Sequence, residues 1–225
     1  MRYIARVLSP TDDWSTRHSV LAVARRTADL LNVLPEERDE HGEGEERGEG
    51  EERADPDKPN VPSEPPGPAA VAAVVEVLRA HGEPEPLDLT PDDVDGMRAA
   101  ATRLRAVFAA RDADGAAAVL NGLLREHTGA LRLTSHAGRT PWHPHVDRAD
   151  DGPWDEWFLA SSCLALTVLL WDRQRPPGRV CASPSCDRVF IAQGSGPDRR
   201  YCSRRCATRE RVAAHRRAAR SPEPS

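Results

Sequence analysis

The sequence predicts a mainly α chain with one small β-hairpin, followed by a short cysteine-rich module that ends in a basic helix. Three observations carry that prediction. Apolar residues recur at steps of three and four in successive segments before residue 175. One stretch, from Ala130 to Val146, alternates instead. Four of the five cysteines fall between residues 181 and 206. The length of 225 residues suits one moderate domain plus a small one. The boundaries read from composition are 1–175 for an α-rich regulatory or ligand-sensing domain, 176–220 for the cysteine module and its helix, and 221–225 for a tail.

The first helix is expected from Asp13 to Leu34, where Val20, Ala24, Ala28, Leu31 and Leu34 share one face and Pro35 closes the segment. Residues 35–68 hold 13 acidic and four basic side chains, seven Pro and five Gly, and repeat the hexapeptide GEGEER. Nothing there offsets the entropy of ordering, so a disordered acidic insert is expected. Helical patterning resumes at Pro68 and runs to His81-Gly82. Thr90 then stands as an N-cap before Pro91, Asp92 and Asp93, and the stripe Val94, Met97, Ala101, Leu104 and Phe108 follows. A fourth helix covers Gly115 to His127. Ala130–Thr134 and Trp142–Val146 alternate and form a hairpin, with Pro144 restricting its strand to an edge. A buried helix spans Asp155 to Asp172, and Arg175-Pro176-Pro177-Gly178 reads as a hinge.

Charge divides the chain. Residues 1–172 carry a net −14, residues 173–220 a net +10 from 13 Arg against three acids, and the whole-chain value of −5 conceals this. Such asymmetry points to a polyanion-binding end. The longest apolar run, Trp157 to Trp171, is interrupted by Ser161, Ser162 and Thr167 and is short for a membrane span. Met1–Val7 lacks the apolar core of a signal peptide. A cytoplasmic protein without membrane contact is the expectation, and the odd number of cysteines argues against a disulfide framework.

Cys181, Cys186, Cys202 and Cys206 form C-x4-C-x15-C-x3-C. Four thiolates in two pairs suit a tetrahedral, structural zinc ion, one per chain, with no position left for water. Ala182–Ser185 turns between the first pair, Val189-Phe190-Ile191 makes a short strand, and Gly194–Pro197 turns it back. Ser203 caps a helix on which Cys202 and Cys206 stand one turn apart. This is the layout of a treble-clef-like four-cysteine zinc finger, in a segment too short to build a core without the metal. On the helix, Arg205, Arg209, Arg216 and Arg220 fall within about 60° of one another, with Arg199 and Arg200 just before it. The stripe could follow successive phosphates. The bland alternative is a solvated Arg-rich tail. Cys163 is expected as a small core residue, and His215 as a helix-surface histidine.

The cluster, with Arg199-Arg200-Tyr201-Cys202-Ser203 leading to Cys206-Ala207-Thr208-Arg209, resembles the zinc finger of the bacterial CGNR family. Asp29–Leu34 is similar to that family's N-terminal D-L-V-N-T-L, and Trp142–Val146 to its W-H-L-H-F segment. The resemblance implies an N-terminal helical domain, a DNA-binding finger and a role in stress-induced transcription regulation. This chain departs from the family at Ala207-Thr208, where the signature has Gly-Asn, and at Ser195-Gly196-Pro197, where it has S-[RK]-N.

Other constellations are fewer. His143, His145 and Asp147 alternate and could form a two-His, one-carboxylate metal triad. Equally, they could be polar residues on the wet face of a hairpin, or Trp142, His143 and His145 could line an effector pocket. A Gly-rich phosphate loop, a G-x-S-x-G elbow and an H-E-x-x-H helix are all absent from the sequence, so no enzyme is expected. The leading expectation is a zinc-dependent DNA-binding transcription regulator, with a small-molecule effector and a homodimer as further expectations. The first alternative is a protein- or RNA-interaction module with a purely structural finger. The second is a metal-dependent enzyme using His143, His145 and Asp147.

Overall fold

The computed structural model describes residues 16–35, 67–138, 140–192 and 199–220. The acidic insert therefore lies, over residues 36–66, outside the described residues, as do the Gly194–Pro197 turn and the tail at 221–225. Ten elements follow in order. They are α1 (Thr16–Val33), α2 (Pro68–Ala80), α3 (Pro91–Ala109), α4 (Ala113–His127), β1 (Arg132–Thr134), β2 (His143–His145), α5 (Trp154–Arg173), β3 (Gly178–Val180), β4 (Val189–Ile191) and α6 (Arg204–Arg220). The protein is mainly α with small antiparallel hairpins, as its apolar periodicity predicts.

Helix α5 is the centre of the first 175 residues. It packs against α1, α3 and α4, and Phe158, Cys163 and Leu166 on it are fully buried. Leu30 and Leu31 of α1, Leu78 of α2, and Met97, Leu104 and Phe108 of α3 close the same core. Each fully buried side chain of this kind contributes about 1.5–3 kcal/mol. Polar side chains also bridge the helices. Thr27 and Ser162 share a 2.8 Å hydroxyl contact between α1 and α5. Arg26 reaches Ser161 at 2.9 Å, forms an ion pair with Glu83 and lies over the Trp157 ring. Burial pushes the Cys163 thiol up to about 12, which fits the core role expected for it.

The helix starts follow from local chemistry. Thr90 Oγ1 accepts from the Asp93 N–H at 3.2 Å while Asp93 accepts from the Thr90 N–H at 2.9 Å, a reciprocal box that fixes α3. Helix α4 begins two residues before the expected Gly115, because Asp112 is the true cap and accepts from the Gly115 N–H at 2.8 Å.

Strands β1 and β2 pair antiparallel with Leu133 opposite Pro144. Their alternation is real, but the apolar residues face outward. Leu131 and Leu133 are 68% and 65% exposed, whereas Thr134 is buried. The inward face is a polar network, described below.

The second hairpin differs from expectation. Val189–Ile191 is a strand, but its partner is Gly178–Val180, upstream of the cysteines, with Arg179 opposite Phe190. Arg175–Gly178, expected as a hinge, leads directly into β3, which packs on α3 while β4 packs on α1. A Cβ on Gly178 would stand 2.3 Å from Phe108 Cε1 and 2.9 Å from the Phe190 carbonyl oxygen, so only glycine fits there. Asn32 of α1 completes the joint. Its side-chain amide donates to the Val189 carbonyl at 3.0 Å and accepts from the Val189 N–H at 2.9 Å.

Candidate functional site

The site begins where the β3–β4 hairpin ends. Between its strands the chain turns through Cys181–Cys186, with the Cys181 N–H on the Arg188 carbonyl at 2.8 Å and the Cys186 N–H on the Ser183 carbonyl at 2.9 Å. The second ligand pair arrives from the start of α6. Ser203 caps it, accepting the Cys206 N–H on its hydroxyl at 3.2 Å and the Ala207 N–H on its carbonyl at 3.1 Å. The helix start thus forms with Ala207 in place, and Thr208 is exposed on it. The Ala182 N–H reaches the Arg200 carbonyl at 2.9 Å and ties the two halves together.

Cys181, Cys186, Cys202 and Cys206 bring their sulfurs within 4.8 Å of one another. The Cys186–Cys202 and Cys202–Cys206 Sγ distances are both 3.7 Å. A tetrahedral ion with Zn–S bonds of about 2.3 Å requires an edge of about 3.8 Å, whereas a disulfide requires about 2.05 Å. All four thiols are free. The donor set and its spacing fit one structural zinc ion. Such an ion lets all four sulfurs be thiolates together. Without it their chemistry diverges, because burial pushes the Cys202 thiol up to about 12 while the Ser203 hydroxyl holds Cys206 down at about 7. The Cys202 N–H donates to Cys181 Sγ at 3.4 Å, and Arg209 approaches Cys206 Sγ at 3.6 Å. Both offset the negative charge of a four-thiolate centre.

The six arginines singled out in the sequence do not form one set. Arg199 donates to the Tyr201 and Cys202 carbonyls at 3.0 and 2.8 Å and lies over the Phe190 ring. Arg209 donates to Ser183 Oγ at 2.8 Å as well as to Cys206. These two brace the finger. Arg200 is exposed beside Tyr201. Arg205 and Arg216 are exposed and engage no partner among the described residues. The Arg220 side chain lies outside the described residues. His215 is exposed, as expected. Helix α6 itself packs against no other described helix or strand.

Trp142, His143 and His145 are placed around a cavity of about 340 Å3 between β2, α1 and α5, whose walls include Arg26, Glu83 and Trp157. The expected grouping of His143, His145 and Asp147 is corrected in one respect. Asp147 lies behind His145, its carboxylate accepting from Nδ1 at 2.9 Å, and does not share the face on which the ring Nε2 atoms meet. The residue that does is His136, 3.2 Å from His143 Nε2. Sequence reading missed it because its position depends on a turn in which His136, Ala137 and Gly138 all adopt positive φ, at 47°, 59° and 80°. His136 is 2% exposed, and burial, followed by the charges of His145 and His143, holds its imidazole below the ordinary value despite Asp150.

A knuckle, a hairpin and a capped helix closing four thiolates define a structural zinc-finger module. Residues 178–219 match the family model described as CGNR zinc finger. That match is to a metal-binding domain and not to an enzyme family. The upstream resemblances at Asp29–Leu34 and Trp142–Val146 lie outside the matched residues. No curated protein matched the chain. Among the described residues no helix is long and apolar enough to cross a membrane.

Proposed function

We propose that the protein is a zinc-dependent DNA-binding transcription regulator. One observation carries the reading. Helix α6 holds seven Arg against one Glu and leaves the body of the protein without packing on another described element. A helix this basic and this uncovered gains little from folding energetics, since guanidiniums such as Arg205 and Arg216 have no partner there. Its charge has a use if it meets a polyanion, whose phosphates repay each contact by counterion release. Zinc fixes the start of the helix, Arg199 and Arg209 stiffen the finger, and Arg200, Arg205 and Arg216 face outward. The cavity beside β2 gives the N-terminal domain a place to receive an effector.

The interaction-module reading has its own support, in that two of the six expected DNA-contacting arginines are spent inside the finger. Titration of the intact protein against duplex DNA by fluorescence anisotropy at several salt concentrations separates the two. A log–log slope near −4 or steeper is the expected result and corresponds to about four phosphate contacts. Absence of binding at low salt by a protein that retains its zinc would leave the finger as a scaffold.

A further inference from the structure

We propose that His136, His143 and His145 form a second metal site, which takes one divalent first-row ion of the zinc class through their three Nε2 atoms. The proposal shares no residue with the cysteine centre and is independent of DNA binding.

Convergence is the first argument. His143 Nε2 lies 3.2 Å from His136 Nε2 and 3.0 Å from His145 Nε2. The three ring centroids form a near-equilateral triangle with sides of 5.0, 5.1 and 4.8 Å. A tetrahedral ion with Zn–N bonds of about 2.0–2.1 Å holds its nitrogens about 3.3 Å apart, close to both of these Nε2 separations, and the three ring nitrogens all lie within 4.8 Å of one another.

The second argument is which nitrogen carries the proton. His145 Nδ1 faces the Asp147 carboxylate at 2.9 Å, His143 Nδ1 faces the Pro141 carbonyl at 2.8 Å, and His136 Nδ1 lies 3.2 Å from Asp150 Oδ2. The two carboxylates and the Pro141 carbonyl can only accept, and the Thr140 hydroxyl stands further from His143 Nδ1, at 3.5 Å. A neutral ring that gives its Nδ1 proton to such an acceptor turns its Nε2 lone pair toward the other two. Lone pairs of His136 and His145 that each meet that of His143 at about 3 Å repel it. A shared proton relieves one pair, whereas a cation relieves all three. Metal-binding histidines have this arrangement, with the distal nitrogen held by a carboxylate or a backbone carbonyl.

The support extends one step further out. A single guanidinium nitrogen of Arg132 contacts Asp147 Oδ1 at 2.7 Å and Asp150 Oδ1 at 2.6 Å, and so fixes both carboxylates that orient the rings. This also explains why β1 turns Arg132 and Thr134 inward and leaves Leu131 and Leu133 in water. His136 is brought in by non-glycine residues at positive φ, a conformation that Ala137 adopts only at a cost. Three imidazoles without a thiolate suit Zn2+, Ni2+ or Co2+ rather than a hard oxygen-seeking cation. His143 and His145 also wall the 340 Å3 cavity.

The test is metal binding by the full chain carrying zinc in its cysteine site. Isothermal titration with Zn2+, and Co2+ titration read by absorbance, should show a second equivalent per chain. Its cobalt spectrum should lack the sulfur charge-transfer band that marks the cysteine site. His143→Ala and the more conservative His143→Gln should each weaken the second equivalent at least about 100-fold and leave the zinc of the cysteine site in place. Asp147→Asn should weaken it about 10–100-fold, as loss of an orienting carboxylate does elsewhere. Retained cysteine-site zinc and an unchanged helical circular-dichroism signal serve as the folding control for each variant. A single equivalent in the unaltered protein would overturn the proposal. So would a second equivalent bound equally well by folded His143→Ala or His143→Gln.

Discussion

The side-chain amide of Asn32 replaces a missing strand for Val189. It donates to the Val189 carbonyl at 3.0 Å and accepts from the Val189 N–H at 2.9 Å, as the backbone of a neighbouring strand would. Strand β4 is an outer strand of a two-stranded sheet, and Val189 is 2% exposed. Its outward N–H and C=O would otherwise be buried without partners. Arg105 strengthens the same seam through the carbonyls of Leu31 and Asp187. The finger is thus held to the helical domain by directional bonds as well as by apolar contact.

Replacing Asn32 by Ala should uncouple the seam. Two buried backbone groups lose their partners, at about 1–3 kcal/mol for each. The variant should unfold at lower urea concentration, and the β4 amides should exchange faster with solvent. Zinc content should be unchanged, since the cysteines lie beyond the broken contact. Loss of zinc together with stability would mean that the finger cannot form without its dock.

Gly178→Ala tests the same joint from its other side. The new methyl group would meet the Phe108 ring and, at 2.9 Å, the Phe190 carbonyl oxygen. The ring can shift only within a filled core, and the carbonyl belongs to the paired strand. Overpacking of this kind costs about 1–3 kcal/mol, which a thermal melt would register as a clear fall in midpoint. An unchanged melt would show that the hairpin can ride away from α3.

The helices and the zinc ligands were legible because their signals are local. Val94, Met97, Ala101 and Leu104 declare a face within three turns, Thr90 and Asp93 cap across three residues, and the cysteine spacing carries its own geometry. The dock was not legible, because the Asn32–Val189 bonds join residues 157 positions apart and three-residue strands are too short to show a period. The histidine site was half legible. His143 and His145 announce themselves by alternation, but His136 arrives through a left-handed turn that no apolar pattern encodes. The contacts of Arg199 and Arg209 inside the finger were not legible either, since neither chain position nor helical angle gives the nearest acceptor.

The arginines of α6 should therefore divide by experiment. Arg205→Ala and Arg216→Ala remove exposed guanidiniums, so each should leave the melt unchanged, weaken duplex binding and flatten the log–log salt slope by about 1. Arg209→Ala should behave differently. It frees Ser183 and withdraws positive charge from Cys206, so it should speed zinc release to a competing chelator. If Arg209→Ala affected only DNA affinity, with zinc release unaltered, its bonds to Ser183 and Cys206 would be incidental.

Thiol titration should separate the two cysteine environments. Under native conditions a mercurial should react with four thiols per chain and release one zinc ion as it does so, because Cys181, Cys186, Cys202 and Cys206 share one centre. Cys163 should react only after unfolding, for it is fully buried and its thiol stands at about 12, which leaves almost no thiolate to attack. Zinc release should remove helical signal from α6, whose cap depends on the site. The near-ultraviolet signal of the Trp154–Trp157 pair, packed edge-on at 5.4 Å in the α5 core, should persist. Collapse of that signal along with the zinc would mean that the helical domain cannot stand without its finger, and that the metal organises the whole chain.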